Sequence, residues 1–346
     1  MDSNRSVTDL PADRYARQTR LPEIGPEGQL RISAGSVLVV GCGALGSGIA
    51  NNLARAGVGL IRIVDRDVLE LNNLQRQALF DENDVAEGLP KAQAAARKLR
   101  RVNSTIEIDD RVEDVTPRNI DALLQGVDLL LDGTDNFESR YVMNDACIKH
   151  GIPWIYGGVI GMTGMTMTIR PGSGPCLRCL FPTAPPAGSV PTCETAGILN
   201  TVPAVIASIQ ATEALRLLCG EQASSHMTYI DMWKLSFRQM SVSRDDQCPA
   251  CCLRRFDYLS TDETATTTTL CGRNAVQITP AGHDTVDLER LQEDLETSGR
   301  VSFNGSVLKF VVDGREMLVF PDGRALINGT DDERLARSLY ARYIGA

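Results

Sequence analysis

The chain has 346 residues, 43% hydrophobic and 23% charged, with a formal net charge of −9 at pH 7. This is the composition of an ordinary globular protein with ample core, and its acidity argues against a nucleic-acid groove. No apolar run approaches the about 20 residues of a membrane helix, and the first residues lack the apolar stretch of a signal peptide, so neither membrane nor nucleic acid is expected as a partner.

Residues 1–35 read as a polar arm and a short amphipathic helix, broken by Gly25 and Pro26. SVLVV (36–40) is a buried strand that runs straight into a glycine loop, and residues 47–56 have helical spacing. GVGLIRIVDRD adds a strand ending in acid, residues 91–101 a helix, and TIEIDDRV a third strand. VDLLLDGTDN, from Val127, is a continuous apolar strand with a polar tip. Strands without a polar face belong to parallel sheets covered on both sides. The alternation of strand and helix therefore predicts an α/β fold, a Rossmann-like doubly wound sheet with its site at the carboxyl ends of the strands. IPWIYGGV and TGMTMTIR are further strands, 182–192 a proline-rich crossover, 203–219 a helix, and TYIDMWKLSFRQMSV a strand pair.

Near Leu259 the composition changes. STDETATTTT reads as a threonine-rich linker over 260–269, and residues 270–346 as a small acidic α+β domain. That domain shows a strand (NAVQITP), a helix (DLERLQEDLETSG), three or four short strands turning at Asn304-Gly305, Asp313-Gly314 and Asp322-Gly323, and a last helix. The expected organisation is an arm at 1–35, a nucleotide-binding domain with cysteine knuckles at 36–259, the linker, and the appendage. From residue 260 onward 14 acids stand against 9 bases, which suits a docking module by analogy alone.

Four cysteines form two C-x-x-C pairs, Cys176/Cys179 and Cys248/Cys251, with 68 residues between them. Each spacing puts two thiolates on one knuckle, and two knuckles supply the tetrahedral sulfur set that zinc prefers. Every coordination position would be filled, so such a zinc is structural. A free redox dithiol is the competing reading. Cys252 adds a register ambiguity that C-x-x-C settles in favour of Cys251. The other cysteines are scattered singly, which argues for a reduced, cytoplasmic chain and against a secreted disulfide framework.

In GCGALG (41–46), Gly41, Gly43 and Gly46, with Ala44, permit a tight turn whose backbone N–H groups approach phosphate at a helix N-terminus. Asp65 falls 24 residues after Gly41, at the end of the second strand, where it can accept from a ribose. The loop alone reads as an NAD or FAD domain. Asp67, Asn73, Arg76 and Lys91 follow directly, and such a cationic and amide cluster suits a triphosphate better than a dinucleotide.

RYARQ (14–18), GCGALG, VDRD, NNLQRQ, PK (90–91), DGTDN (132–136), CLRC, TCETAG and CPAC stand in that order. In type and order they resemble the adenylyltransferases of the ThiF/MoeB/HesA family, bacterial relatives of ubiquitin-activating enzymes, over residues 12–258. The resemblance implies a nucleotidyltransferase that uses MgATP to adenylate the C-terminal glycine carboxylate of a ubiquitin-like sulfur carrier ending in Gly-Gly, with release of pyrophosphate. The pathway stays open between molybdopterin, thiamine and other thiolations, with a sulfur-donor protein as a further partner.

By the same resemblance Gly41, Gly43, Ala44 and Gly46 shape the nucleotide loop, and Asp65, with Asp67 beside it, holds the ribose. Asn73, Arg76 and Lys91 would contact phosphates, and Asp135, oriented by Asn136, would bind magnesium. Arg17 would reach the γ-phosphate in a partner subunit, which implies a homodimer. Cys193, in TCETAG, stands where some members carry a thiol that links to the carrier, although no neighbour in sequence lowers its pKa. Two other readings stay open. An adenylating dehydratase acting on tRNA is disfavoured by the acidity and the four knuckle cysteines. An ATP-binding scaffold without turnover is disfavoured by the intact Arg17, Arg76, Lys91 and Asp135.

Overall fold

The computed structural model describes residues 14–185, 196–221, 226–260, 266–270, 274–280 and 285–344. It divides into two compact units, 1–82 with 91–260 and 83–90 with 261–346.

In the first unit, residues 14–24 form turns, and α1 (Gly25–Ala34) begins at the Gly-Pro pair expected to break a helix. Proline's fixed φ and missing N–H suit the first helical turn, where that N–H has no partner to lose. β1 (Ser36–Val40) is buried at every position and leads through the glycine loop into α2 (Ala44–Ala56) and β2 (Leu60–Val64). α3 (Glu82–Glu87) falls in the second unit from residue 83 on, and the first continues with α4 (Lys91–Val102), β3 (Glu107–Arg111), α5 (Ile120–Leu123) and the fully buried β4 (Leu129–Asp132). α6 (Phe137–His150) follows, buried continuously from Ser139 to Ile148, which leaves no amphipathic stripe in the sequence. β5 (Trp154–Ile160), β6 (Thr163–Ile169), α7 (Leu177–Leu180), α8 (Thr201–Leu218), β7 (His226–Asp231) and β8 (Ser236–Ser241) complete the unit.

The sheet runs β3-β2-β1-β4-β5-β6-β7-β8. From β3 to β5 neighbours pair in parallel, and from β5 to β8 antiparallel. The winding reverses between β1 and β4, so the crevice beyond their carboxyl ends is the topological switch point where open α/β sheets bind ligands. Helices cover both faces. Leu38, Val40 and Leu130 pack in one core cluster with Val142, Met143, Trp154 and Tyr156. On the other face α2 and α8 approach so closely that a Cβ on Gly48 would lie 3.0 Å from Ala207 Cβ. Burying each large apolar side chain contributes about 1.5–3 kcal/mol. No helix among the described residues is long and apolar enough to cross a membrane.

The second unit carries an antiparallel sheet of β9 (Thr266–Leu270), β10 (Ala275–Thr279), β11 (Arg300–Phe303), β12 (Leu308–Val312), β13 (Arg315–Val319) and β14 (Ala325–Asn328), in the order β11-β12-β13-β14-β10-β9. The last four residues of the stretch read as linker, 266–269, are thus part of β9, paired with β10. Threonine is β-branched and sits well in a strand, so a polar composition concealed a sheet edge. α9 (Leu288–Leu295) and α10 (Glu333–Tyr343) bury Leu288, Leu295, Ala336 and Leu339 against Phe310, Met317 and Ile327. The turn before β13 has positive φ at both Asp313 (51°) and Gly314 (74°), the tight hairpin form. Residues 83–90 belong to this unit, and Asn304 Nδ2 donates to the Gly88 carbonyl oxygen at 2.8 Å.

Candidate active site

Two loops meet backbone to backbone at the switch point. Gly41 follows β1 with φ 81°, and Gly133 follows β4. A Cβ on Gly133 would lie 2.4 Å from Gly41 O, and one on Gly46 only 1.7 Å from it, so no side chain fits between the glycine loop and the β4 tip. Gly43 caps α2 without a side-chain hydrogen bond, which leaves first-turn N–H groups for an anion.

Asp65, at the end of β2, fastens this loop. Its Oδ2 accepts from Cys42 N at 2.5 Å and its Oδ1 from Asp67 N at 2.7 Å. Each oxygen keeps a lone pair for a further donor. Burial pushes Asp65 above the ordinary carboxylate value; Lys91 pulls the other way, and Asp67 adds to the rise. Lys91 Nζ, almost wholly buried, lies 2.8 Å from Asp67 Oδ2, and its backbone N donates to Asp67 O at 2.8 Å. Arg66, which the sequence reading passed over, belongs to the same group. Its Nη1 donates to Asp114 Oδ2 at 2.6 Å. Burial opposes its charge, but Asp114, Asp67 and, more weakly, Asp135 hold its pKa above the ordinary guanidinium value. Its place between two flagged acids was the available signal.

Arg76 is half-buried, donates to Asn72 O at 3.0 Å, and lines a cavity of ≈ 220 Å³ with Ala44, Ser47, Gly48, Asn200 and Thr201. Asn73 is buried, and its amide is engaged within its own loop, accepting from Glu70 N at 3.1 Å and donating to Asn72 at 2.7 Å. Asp135 is exposed at the β4 tip. Asn136 caps α6, its Oδ1 accepting from Ser139 N at 2.9 Å, so this oxygen serves the helix beside Asp135. Arg17 is not in this group: it is exposed in the 14–24 turns and forms no ion pair with any described residue. Cys193 lies outside the described residues.

The sulfurs of Cys176, Cys179, Cys248 and Cys251 all lie within 4.8 Å of one another, with 3.5 Å for Cys176–Cys248 and for Cys179–Cys251. A tetrahedral site with Zn–S of about 2.3 Å needs sulfurs roughly 3.8 Å apart, so the set fits zinc. Cys252 lies beside the set, its Sγ 3.8 Å from Cys251 Sγ, and is engaged elsewhere, donating to Asp245 O at 3.0 Å and accepting from Arg244 Nε at 3.2 Å. The first knuckle docks on α6: Leu177 N donates to Asn144 Oδ1 at 3.0 Å, and buried Arg178 pairs with Asp145 at 3.2 Å and Asp257 at 3.0 Å.

Residues 15–250 match the sequence profile of the ThiF family. The chain belongs to the ThiF family. The sulfur carrier protein ThiS adenylyltransferase of Bacillus subtilis is 42% identical over 335 residues, spanning 96% of this chain and 99% of that protein. The sulfur carrier protein adenylyltransferase of Thermus thermophilus is 40% identical over 246 residues, 69% of this chain and 90% of that one. The match to the Bacillus protein therefore extends into the second unit. Among solved structures, Escherichia coli MccB shares the fold with a TM-score of 0.62 at 22% identity, over 75% of this chain and 76% of MccB.

Proposed function

We propose that this ThiF-family chain adenylates the C-terminal glycine carboxylate of a ubiquitin-like sulfur carrier with ATP, and that the carrier is of the thiamine (ThiS) type. The observation that carries the reading is the contact of Gly41 and Gly133, which sets the Asp135 tip against the phosphate loop. The likeness to the Bacillus protein, which covers nearly all of both chains, supports the choice of carrier.

In this reading Asp65 accepts from the ribose, the free N–H groups at the start of α2 face phosphate, and Arg76 and Lys91 neutralise the triphosphate. Asp135 supplies a hard carboxylate ligand to magnesium, which when bound offsets the charge of the phosphate oxygens. A carrier carboxylate oxygen attacks the α-phosphorus. The new C(O)O–P bond forms as the α–β bridging P–O bond breaks, pyrophosphate leaves, and an acyl-adenylate remains. Both reactants are anions, so the residues contribute alignment and charge neutralisation and no proton needs to move. The four knuckle cysteines would hold a structural zinc, and their free thiols suit a reducing cytoplasm. Arg17 from a second copy would complete each site.

ATP–pyrophosphate exchange with a carrier ending in Gly-Gly tests this directly. Carrier-dependent exchange that is lost in Asp135→Ala is expected. Tight ATP binding with no exchange toward any Gly-Gly carrier would overturn it and leave the scaffold and the tRNA dehydratase readings.

A further inference from the structure

Beneath the exposed Asp135 lies a fully buried ion pair that the proposed chemistry does not use. Asp132 ends β4 with no exposure, and Arg140 on α6 is also buried. Asp132 Oδ1 accepts from Thr134 N at 2.8 Å and from Thr134 Oγ1 at 2.6 Å. Its Oδ2 accepts from Arg140 Nε at 2.9 Å and from Gly157 N at 3.3 Å. Arg140 Nη2 donates in turn to Thr134 O at 2.7 Å and Gly157 O at 2.9 Å, and its guanidinium lies over the rings of Phe137 and Tyr156. From the far side, Gln210 Nε2 on α8 donates to Asp132 O at 2.9 Å and Ile155 O at 3.2 Å.

The result is a three-residue turn, 132–134, in which side chains hold both Thr134 backbone polar groups and the Asp132 carbonyl. Removing two charges from water is unfavourable, and well-packed apolar residues would serve stability as well or better. What an apolar pair would not do is fix the backbone one residue before Asp135. A guanidinium is suited to this because its planar fork donates in several fixed directions at once, which an ammonium does not match.

We infer that Arg140, acting through Asp132 and Thr134, is a positioning residue for Asp135: it presets the carboxylate for the divalent cation bound with ATP. The inference rests on the reading of Asp135 as a cation ligand. Arg140 is buried and its partners are Asp132, Thr134, Gly157 and the rings of Phe137 and Tyr156, so its loss should weaken cation binding while the carrier is recognised as before.

The test compares Arg140→Lys, Thr134→Val and Asp135→Asn in the full-length, zinc-loaded chain. Mn²⁺ binding is read by electron paramagnetic resonance with a non-hydrolysable ATP analogue, beside KM for the carrier and Tm. Partners that orient a metal ligand typically carry 10–100-fold in affinity, so about a tenfold weaker Mn²⁺ affinity is expected in Arg140→Lys and Thr134→Val, with KM for the carrier within about twofold. Thr134→Val keeps the side-chain shape and removes only the hydroxyl, so it decides the matter where Arg140→Lys does not fold. Wild-type Mn²⁺ affinity in folded Thr134→Val and Arg140→Lys, with affinity lost in Asp135→Asn, would overturn the positioning role. Unchanged affinity in Asp135→Asn would instead remove Asp135 as the ligand, and the inference with it.

Discussion

Gln18 Nε2 donates to the carbonyl oxygen of Ala56 at 3.0 Å, which ties the turn carrying Arg17 to the last residue of α2. Asn103 Nδ2 adds a second tie, donating to Tyr15 Oη at 2.9 Å and to Ala54 O at 2.8 Å. The glycine loop is at the opposite end of α2. Thirteen residues at about 1.5 Å each place it roughly 20 Å away, beyond the reach of one arginine. If Arg17 meets a triphosphate, it meets the one bound by another copy of the chain. Arg17→Ala and Asp135→Ala should each be inactive alone. Their heterodimer would contain one intact site, so a random mixture should recover roughly a quarter of wild-type exchange in a two-fold dimer. Heterodimers that form without recovering activity would exclude this arrangement.

Legibility in the sequence followed the range of the interactions. β1 could be read because all of SVLVV is buried, and the Gly41 loop and Asp65 because a strand, a turn and an acid at fixed spacing are local. α6 could not: its face toward β5 carries Arg140 and its face toward the knuckle Asn144 and Asp145, so polar residues occupy positions where helical periodicity needs apolar ones. The support of Asp135 was hidden for the same reason. Asp132 is joined to Gly157 and Gln210 across 25 and 78 residues, and only the fold brings them together. Gly25-Pro26 misled in another way, since the same pair marks a helix start as readily as a break.

One zinc per chain is expected, and metal analysis of the purified protein checks it. Zinc takes thiolates, so binding must release protons. Without metal, a hydrogen bond from Cys176 holds Cys179 down to about 5, whereas burial pushes Cys251 up to about 12. Between these values Cys251 must still lose a proton to bind, so zinc affinity in a chelator competition should strengthen as pH rises. Cys248→Ser, or stripping the metal, should lower Tm by several degrees, because Arg178 on the first knuckle is paired with buried Asp145 of α6. A metal-free chain of unchanged Tm would count against a structural zinc.

Substituting Cys193 is expected to separate two chemical steps. Adenylation uses a carboxylate that is already nucleophilic, so Cys193→Ser should keep wild-type pyrophosphate exchange. A thiol that receives the carrier would attack the adenylate carbonyl and expel AMP, leaving a thioester. Mass spectrometry of the wild type under non-reducing conditions should then show a carrier adduct that Cys193→Ser lacks. Full sulfur transfer by the serine variant would make the thiol a bystander.

If Asp65 holds the ribose as proposed, ATP binding is expected to be sensitive to acid above the usual carboxylate range. Burial holds its pKa high despite Lys91, so its charge is lost earlier on acidification than that of an exposed carboxylate. A protonated Asp65 accepts less strongly from Cys42 N, Asp67 N and a ribose hydroxyl, so KM for ATP should rise as pH falls through the raised value. Stability has the opposite sign: a folded pKa above the unfolded one means the folded state binds the extra proton, and this group's contribution grows as pH falls. Tm recorded alongside KM therefore distinguishes weakened binding from unfolding. Asp65→Asn replaces two acceptor oxygens by one oxygen and an NH₂, so either Cys42 N or Asp67 N loses its partner, at about 1–3 kcal/mol. That variant should show a raised KM for ATP without the acid limb. Wild-type KM in Asp65→Asn at every pH would remove Asp65 from the nucleotide site.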